Sequence, residues 1–380
     1  HPLPRPSRRT EEIAMRAALF ESPGVPLQVV DDVDIEEPLV GQVRVRVKHC
    51  GICHSDLSIV DGKFPAPTPI ILGHEAAGVV DAVGEGVTRL APGDSVVLTP
   101  CPPCGTCYWC VRGEAALCVN GAGIVTSSFP DGRTGLSRKG ESVYRGLNVA
   151  GFAEYTVVEA TGAVKIDPDV PLDVACVIGC AVQTGAGAVL NAARVEEGAT
   201  VLVLGAGGIG LSSVQGARIA GAARIIVSDP VAERREVAKR LGATDLLDPS
   251  QDDVPTAARD LTGGIGVDYA FETAGIAALI SAGLAAVRNG GTVVCIGAPP
   301  IDQNVDLGLA AVFAASAKNV MGTMLGNCNS LRDVPRLLSL WQNGCLDLEG
   351  LITSRRPLEE INAAMDDLRA SRGIRTVLNI

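Results

Sequence analysis

Val201-Leu202-Val203-Leu204-Gly205-Ala206-Gly207-Gly208-Ile209-Gly210 decides how this chain is read. A short apolar run, a glycine turn of the form G-x-G-x-x-G and a helical stretch reaching Ala220 follow one another. The spacing predicts a strand over Thr200–Leu204. A second strand, Arg224–Ser228, ends at Asp229, 24 residues after Gly205. The glycine string alone is a weak signal. With a strand before it, a helix after it and an acid closing the next strand, it meets the conditions for a dinucleotide site. Gly205 permits the tight turn, Gly207 lets the backbone approach a pyrophosphate, and Gly210 lets helix pack on strand. Together with Gly208 and Ile209 they open a helix whose free N–H groups and positive dipole suit phosphates. A carboxylate at Asp229 can accept hydrogen bonds from ribose hydroxyls and would repel a 2′-phosphate, so NAD is expected. Arg234 and Arg235, which could favour NADP, sit a helical turn further on.

Working outward, the pattern splits the chain. From about 182 to 324, strands alternate with helices: an amphipathic helix over Val231–Leu241, then strands at Val267–Glu272 and Thr292–Gly297. That alternation predicts a doubly wound parallel sheet, a Rossmann domain. From 15 to about 181 the elements are short and strand-like. Val43, Val45 and Val47 alternate with Arg44, Arg46 and Lys48 as in a half-buried strand. Further strands are expected at Val79–Val80, Val96–Leu98 and Tyr155–Val158. Residues 325–380 hold helices around Leu331–Trp341 and Leu358–Ala370 and a closing strand, Arg375–Ile380. Thr126–Gly151 is expected as a long loop.

Composition narrows the partners. The net charge of −11 repels phosphate backbones and anionic lipid heads, so neither nucleic acid nor a membrane is expected. No apolar run reaches about 18 residues, and the longest candidate, 174–190, is broken by Gln183 and several glycines. His1 to Ala14 holds no apolar segment and is expected to be a flexible arm before a domain starting near Met15, not a secretory signal. A cytoplasmic location follows as an expectation. The twelve cysteines then read more readily as metal ligands or free thiols than as disulfides.

Five of them fall within 18 residues: Cys101, Cys104, Cys107, Cys110 and Cys118. The spacing C-x2-C-x2-C-x7-C from Cys104 to Cys118 lets four sulfurs reach one ion at about 2.3 Å. An iron–sulfur cluster would place its fourth cysteine in the run C-x2-C-x2-C-x3-C-P; here Cys110 is followed by Val111, and zinc is favoured. Cys101 is one thiol too many. A closed four-thiolate site has no open position and is expected to be structural. A second set of soft ligands is scattered: Cys53-His54-Ser55-Asp56, Gly73-His74-Glu75 and Gly179-Cys180. Spacing cannot join them. Read alone, Cys180 fits a buried small hydrophobe and His74 a core histidine as well as either fits a ligand.

With these pieces in this order, the chain resembles the zinc-dependent alcohol dehydrogenases of the medium-chain dehydrogenase/reductase family. The likeness rests on Gly51–Asp56, Gly73-His74-Glu75 with Gly78, the four-cysteine lobe at about 100–119, Gly179–Thr184, Gly205–Gly210 with Asp229, and Gly373-Ile374-Arg375-Thr376. It covers about 15–380. It implies a mostly β, GroES-like catalytic domain over 15–181 and 325–380, and the Rossmann domain over 182–324. It implies two zinc ions per chain: a catalytic one on Cys53, His74 and Cys180, with Glu75 close behind, and a structural one on Cys104, Cys107, Cys110 and Cys118. Asp56 matches a carboxylate that supports a ligand. His54 and Arg375 match basic positions at the pyrophosphate, Arg234 a position near the adenosine ribose, Thr184 the nicotinamide side, and Ile296 and Ala298 further cofactor contacts.

Oxidising an alcohol removes a proton and a hydride. Zinc lowers the pKa of bound water from about 15.7 to about 7, and a comparable benefit is expected for an alcohol, with hydride passing to the nicotinamide. The resemblance makes Ser55 the first proton acceptor. Some family members end that relay at a histidine three residues on, where this chain has Ser58. Phe64, Pro100, Ala298 and Leu325 match positions lining the substrate pocket, which implies a primary or hydrophobic alcohol or its aldehyde. Glutathione-dependent formaldehyde dehydrogenases carry an arginine shortly after the lobe, and Ala122 stands there, which disfavours glutathione. Oxidation of a hemithioacetal formed from another thiol stays open. So does, from a different class, a non-catalytic protein that binds zinc and nucleotide. The long segment after the lobe goes with dimeric members, so a homodimer is expected.

Overall fold

The computed structural model describes residues 13–380. Most of the expected arm falls on residues 1–12, outside the described residues; the first strand, Ile13–Phe20, already precedes Met15. Three sheets organise the chain. The first is all parallel, in the order Asp245–Leu247, Arg224–Ser228, Thr200–Leu204, Val267–Glu272, Val287–Cys295, Asn319–Gly322. Helices Gly208–Ile219, Ala232–Leu241 and Ala277–Ala286 form the connections between its strands. Val201, Leu202, Val203 and Leu204 are all buried, as a strand covered on both faces requires. Chain order reverses on either side of Thr200–Leu204. Such a switch point opens a ligand crevice at the carboxyl ends of the strands, and Gly205, Asp229, Glu272 and Ile296 all stand at those ends.

The second sheet explains how distant segments meet. Gln42–Gly51 pairs antiparallel with Glu75–Val83, with Gly51 opposite Glu75. Cys53 and His74 therefore leave adjacent strand ends together. On the other side Arg375–Asn379 pairs with the same strand, Val377 opposite Gly51, which brings Arg375 alongside. Ser95–Leu98 lies on the far side of Glu75–Val83, and Gly179 packs so closely on the Leu98 carbonyl that a β-carbon there would overlap it. This contact delivers Cys180. The third sheet, built on Ile13–Phe20 and Gln28–Ile35, closes the β-rich half.

Two sequence expectations need correcting. Thr126–Gly151 is not plain loop: Leu136–Arg138 pairs with Gln28–Ile35 and with Glu141–Ser142, and Tyr144–Arg145 pairs with Ile70–Ile71. The strand expected at Thr292–Gly297 runs Val287–Cys295. Its first half, Arg288-Asn289-Gly290-Gly291, carries turn residues, and Gly290 has φ +74°; the pairing shifts register there and continues. The apolar stretch around 174–190 is a bent pair, Leu172–Gly179 and Ala181–Ala193, meeting at 55°. Among the described residues no single helix is long and apolar enough to cross a membrane.

Candidate active site and metal centres

Cys53 caps the N-terminus of helix His54–Val60, so its sulfur and the Ser55 hydroxyl share the first turn, 3.8 Å apart. Asp56 on the same turn is fully buried. Its carboxylate accepts the backbone N–H groups of Cys53 (3.1 Å) and Gly73 (2.9 Å) and lies 3.2 Å from His74 Nδ1. One side chain thus fixes two of the three segments that carry candidate ligands. Holding Nδ1 also leaves His74 Nε2 as the free lone pair, the usual arrangement around a metal-binding imidazole.

One ligand atom each from Cys53, His74 and Cys180 lies within 4.8 Å of the others. Their acidities are entangled. The Cys180 thiol, through its hydrogen bond, holds Cys53 well below the usual thiol range against the cost of burial, and His74 adds to the effect. Cys180 is pushed well above that range by the same hydrogen bond and by burial. Burial works against a charged His74, but the Asp56 carboxylate and Cys53 raise it well above the ordinary imidazole value. Two sulfurs and an imidazole that meet at one point make a donor set suited to zinc.

Glu75, directly after His74, is outside this trio. It is fully buried, and burial lifts its pKa to about 7 against the pull of Arg375. Oε1 accepts the Ala181 N–H (3.1 Å), while Oε2 has no hydrogen-bond partner among the described residues and sits 3.4 Å from Arg375 Nε. A methyl group at Gly51 would overlap Oε2, so glycine is needed opposite this carboxyl.

The lobe sulfurs form the second cluster. Cys104, Cys107, Cys110 and Cys118 lie within 4.8 Å of one another, with 4.0 Å between Cys104 and Cys110 and 3.9 Å between Cys107 and Cys118. Bonds of about 2.3 Å in a tetrahedron would set sulfurs roughly 3.8 Å apart, so the cluster has the size of a zinc site. The backbone N–H groups of Cys104, Thr106, Cys107 and Asn120 point at its sulfurs. Cys101 stays apart, buried with Ala116 and Leu325.

The glycine turn has the expected geometry. Gly205 has φ +99°, a left-handed conformation that glycine adopts without strain. A β-carbon at Gly210 would overlap the Gly205 carbonyl, and one at Gly208 would overlap the Arg375 guanidinium. Arg375 is buried, donates to the Ile52 carbonyl (2.6 Å) and so bridges the trio and the glycine turn. His54 stands close by; its imidazole pKa is lowered by the partial burial of the ring, with Arg375 and Arg234 contributing.

Other expected cofactor residues are tied up by the protein itself. Asp229 is buried and accepts the backbone N–H groups of Ala206 (2.7 Å) and Val231 (2.8 Å), which braces the turn. Arg234 donates from Nε and Nη2 to the Gly373 carbonyl (3.1 and 2.9 Å) and holds the turn before Arg375. Thr184, near-buried in helix Ala181–Gly187, has its hydroxyl 4.0 Å from Cys180 Sγ. Ile296 follows strand Val287–Cys295, and the Ala298 backbone packs on Gly275.

Sequence reading missed Glu272. This buried carboxylate ends its strand and accepts the N–H groups of Ala274, Gly275 and Ile276 (2.8, 2.8 and 3.2 Å), building the turn that faces Ala298. Its one signal was an acid closing the apolar run Val267–Glu272. A groove of about 540 Å³ between Gly24–Leu27, Val60–Lys63 and Asn362–Arg369 contains none of the expected site residues. The convergence of ligand chemistry, not cavity size, marks the site.

Known proteins agree. Residues 40–168 match the alcohol dehydrogenase GroES-like domain, and residues 208–343 match the zinc-binding dehydrogenase family. The chain is 38% identical over 366 residues to the NDMA-dependent alcohol dehydrogenase of Amycolatopsis methanolica, covering 96% of this chain and 98% of that one. It superposes on the benzyl alcohol dehydrogenase of Acinetobacter calcoaceticus with a TM-score of 0.91 at 31% identity, covering 96% and 99% of the two chains. An alcohol dehydrogenase zinc-binding domain protein from Burkholderia ambifaria gives 0.92 at 35% identity, covering 97% and 100%. With its GroES-like half, its parallel-sheet half and its two clusters of soft ligands, the chain belongs to the zinc-type alcohol dehydrogenases of the medium-chain dehydrogenase/reductase family.

Proposed function

We propose that this alcohol dehydrogenase transfers hydride reversibly between a primary or hydrophobic alcohol and NAD, with Cys53, His74 and Cys180 holding the catalytic zinc. The observation that carries the proposal is the meeting of these three donors beside Ser55, Thr184 and the glycine turn. Zinc at this trio would act as a Lewis acid that makes the alcohol proton easier to remove. Bound NAD would supply the hydride acceptor.

The chain's own residues do the rest. Ser55 Oγ, beside Cys53 Sγ, is placed to take the proton from the alcohol oxygen and pass it outward. Asp56 keeps His74 in its ligating orientation. The helix Gly208–Ile219, with Arg375 and His54, offers donors and positive charge to a diphosphate. Asp229 keeps lone pairs for a ribose beyond those its two backbone contacts use. The four lobe thiols fit a second, structural zinc, which gives two ions per chain. Free thiol ligands suit a reducing compartment such as the cytoplasm.

General acid–base residues contribute about 10²–10⁴-fold. Ser55→Ala is therefore expected to lower kcat by at least about 100-fold, and Ser58→Ala by far less. Stopped-flow kinetics with a primary alcohol compares the two; equal small losses would remove Ser55 from the relay. The test of the function is a panel of alkyl and aromatic alcohols, and of formaldehyde with small thiols, followed at the nicotinamide absorbance. Because one relative is named for its dependence on NDMA, parallel assays include NDMA as acceptor. Turnover with NDMA alone would reassign the final acceptor. No hydride transfer with any member would leave a zinc- and nucleotide-binding protein.

A homodimer is proposed as the working form. Ile301, Leu309 and Val312 are strongly exposed apolar residues in the segment that leads into Asn319–Gly322, the last strand of the parallel sheet, which among the described residues pairs on one side only. An unpaired edge with an apolar border is suited to continuing the sheet into a second copy. Light scattering is expected to give twice the mass of the chain; a single-chain mass would refute this.

A further inference from the structure

Residues 147–150 are an anomaly close to the candidate metal trio. Leu147 (φ +49°), Asn148 (+66°) and Ala150 (+58°) are all left-handed, none is glycine, and all are buried. Such backbone persists only where its surroundings over-determine it. What over-determines it here is polar. Arg145 is 1% exposed, and among the described residues it forms no ion pair. Its guanidinium lies 3.7 Å from the Phe129 ring centroid, a cation–π contact. Nη2 donates to the Asn148 carbonyl (2.7 Å) and Nη1 to Asn148 Oδ1 (3.3 Å), while Nε has no partner. Asn148 Nδ2 in turn donates to the carbonyls of Pro100 and Asn120, both at 3.1 Å. Burying a guanidinium without an ion-pair partner is costly, and burial has lowered its pKa to about 9 against the more distant pull of Glu159. A packed apolar side chain would hold an ordinary loop more cheaply.

The two ends of this clamp explain its use. On one side the segment reaches the ligand loop: the Gly151 N–H donates to the Gly73 carbonyl (2.7 Å) and the Phe152 N–H to that of Leu72 (2.9 Å), immediately before His74. On the other side it grips Pro100 and Asn120, at the two ends of the lobe. Pro100 follows Leu98, whose carbonyl Gly179 abuts next to Cys180. The strained turn therefore ties the loop that delivers His74 to the strand end at Pro100, close to the Leu98 carbonyl on which Gly179 packs. A change of its backbone is therefore passed to Gly73 and to Pro100, on either side of the trio, without touching a ligand.

We infer that Arg145 and Asn148 are positioning residues whose clamp from the strained turn 147–150 to Pro100 and Asn120 sets the size of alcohol the site admits. The inference rests on the alcohol-oxidising function proposed above. Three variants of the zinc-loaded, full-length enzyme test it. Arg145→Leu removes the fork and the charge. Asn148→Gly keeps the left-handed backbone at no strain and deletes only the bridges. Arg145→Lys keeps charge without the two-pronged geometry.

The primary readout is the ratio of kcat/KM for benzyl alcohol to that for ethanol. It is expected to shift by about tenfold or more in Arg145→Leu and in Asn148→Gly. The change should lie in KM, with zinc content and nucleotide Kd unaltered, and Arg145→Lys should recover part of it. The second readout needs no turnover: amide hydrogen exchange at 147–152 should speed up by about tenfold or more while the parallel sheet is unchanged. An unaltered ratio with equal loss of kcat on both alcohols, or unaltered exchange at 147–152 in Asn148→Gly, would overturn the inference. If the unmodified enzyme oxidises no alcohol, the proposed function fails instead, and the exchange measurement alone decides whether the clamp holds the turn.

Discussion

Replacing Cys180 with alanine is expected to lower kcat/KM for alcohols by about 10³–10⁴-fold. The estimate follows from the several kcal/mol a Lewis-acid metal contributes, at about 1.4 kcal/mol per factor of ten. Cys180 enters the site through the close approach of Gly179 to the Leu98 carbonyl, and its side chain meets Cys53 and Thr184. Alanine removes a sulfur and leaves the loop backbone in place. Zinc should fall from about two to about one per chain, and nucleotide binding should change little, because Gly205–Gly210 does not depend on this sulfur. Metal analysis with steady-state kinetics checks this. Full activity with both ions retained would show that the trio is not the reacting centre.

The second large effect is expected in the lobe, on stability. Between Cys101 and Val119 the regular structure is one short helix, Tyr108–Val111, with no buried residue, and one turn, Ala115–Leu117. Tyr108, Val111, Leu117 and Val119 are exposed, so little apolar burial holds the lobe. Its order must come from the four sulfurs. Structural zinc contributes folding energy directly. Cys107→Ala is expected to cost about 4 kcal/mol and to lower Tm by roughly 5 °C. Scanning calorimetry measures the shift, and limited proteolysis should cut first within the lobe. The catalytic trio should keep its ion in the surviving folded protein, which separates this variant from Cys180→Ala. An unchanged Tm would mean that packing, not metal, orders the lobe.

Some of this was legible in one dimension. Thr200–Leu204, Arg224–Ser228 and Val267–Glu272 have the limits their apolar runs suggest, because each strand is covered on both faces and punctuated by glycine or acid. The lobe cysteines announced themselves because two-residue gaps suffice to place sulfurs around one ion. The other trio did not, since its members are joined by strand register: Gly51 opposite Glu75, Val377 opposite Gly51 and Gly179 against Leu98. Only the family resemblance could join them beforehand.

The remaining misses share a cause. Polar groups that satisfy the backbone leave no periodic trace. Glu272 gathers three amides and Asn148 bridges two carbonyls. The left-handed turn at 147–150 contains no glycine to mark it. Its sole hints were Asn148, a residue tolerant of that conformation, and an arginine within an otherwise apolar stretch.

The most direct test is anomalous diffraction at the zinc edge from crystals of the full-length protein. The expected result is two peaks per chain, one among Cys104, Cys107, Cys110 and Cys118 and one bonded to Cys53, His74 and Cys180 with a position left open toward the glycine turn. A single peak in the lobe, with the trio bare in zinc-replete crystals, would contradict the proposed active site.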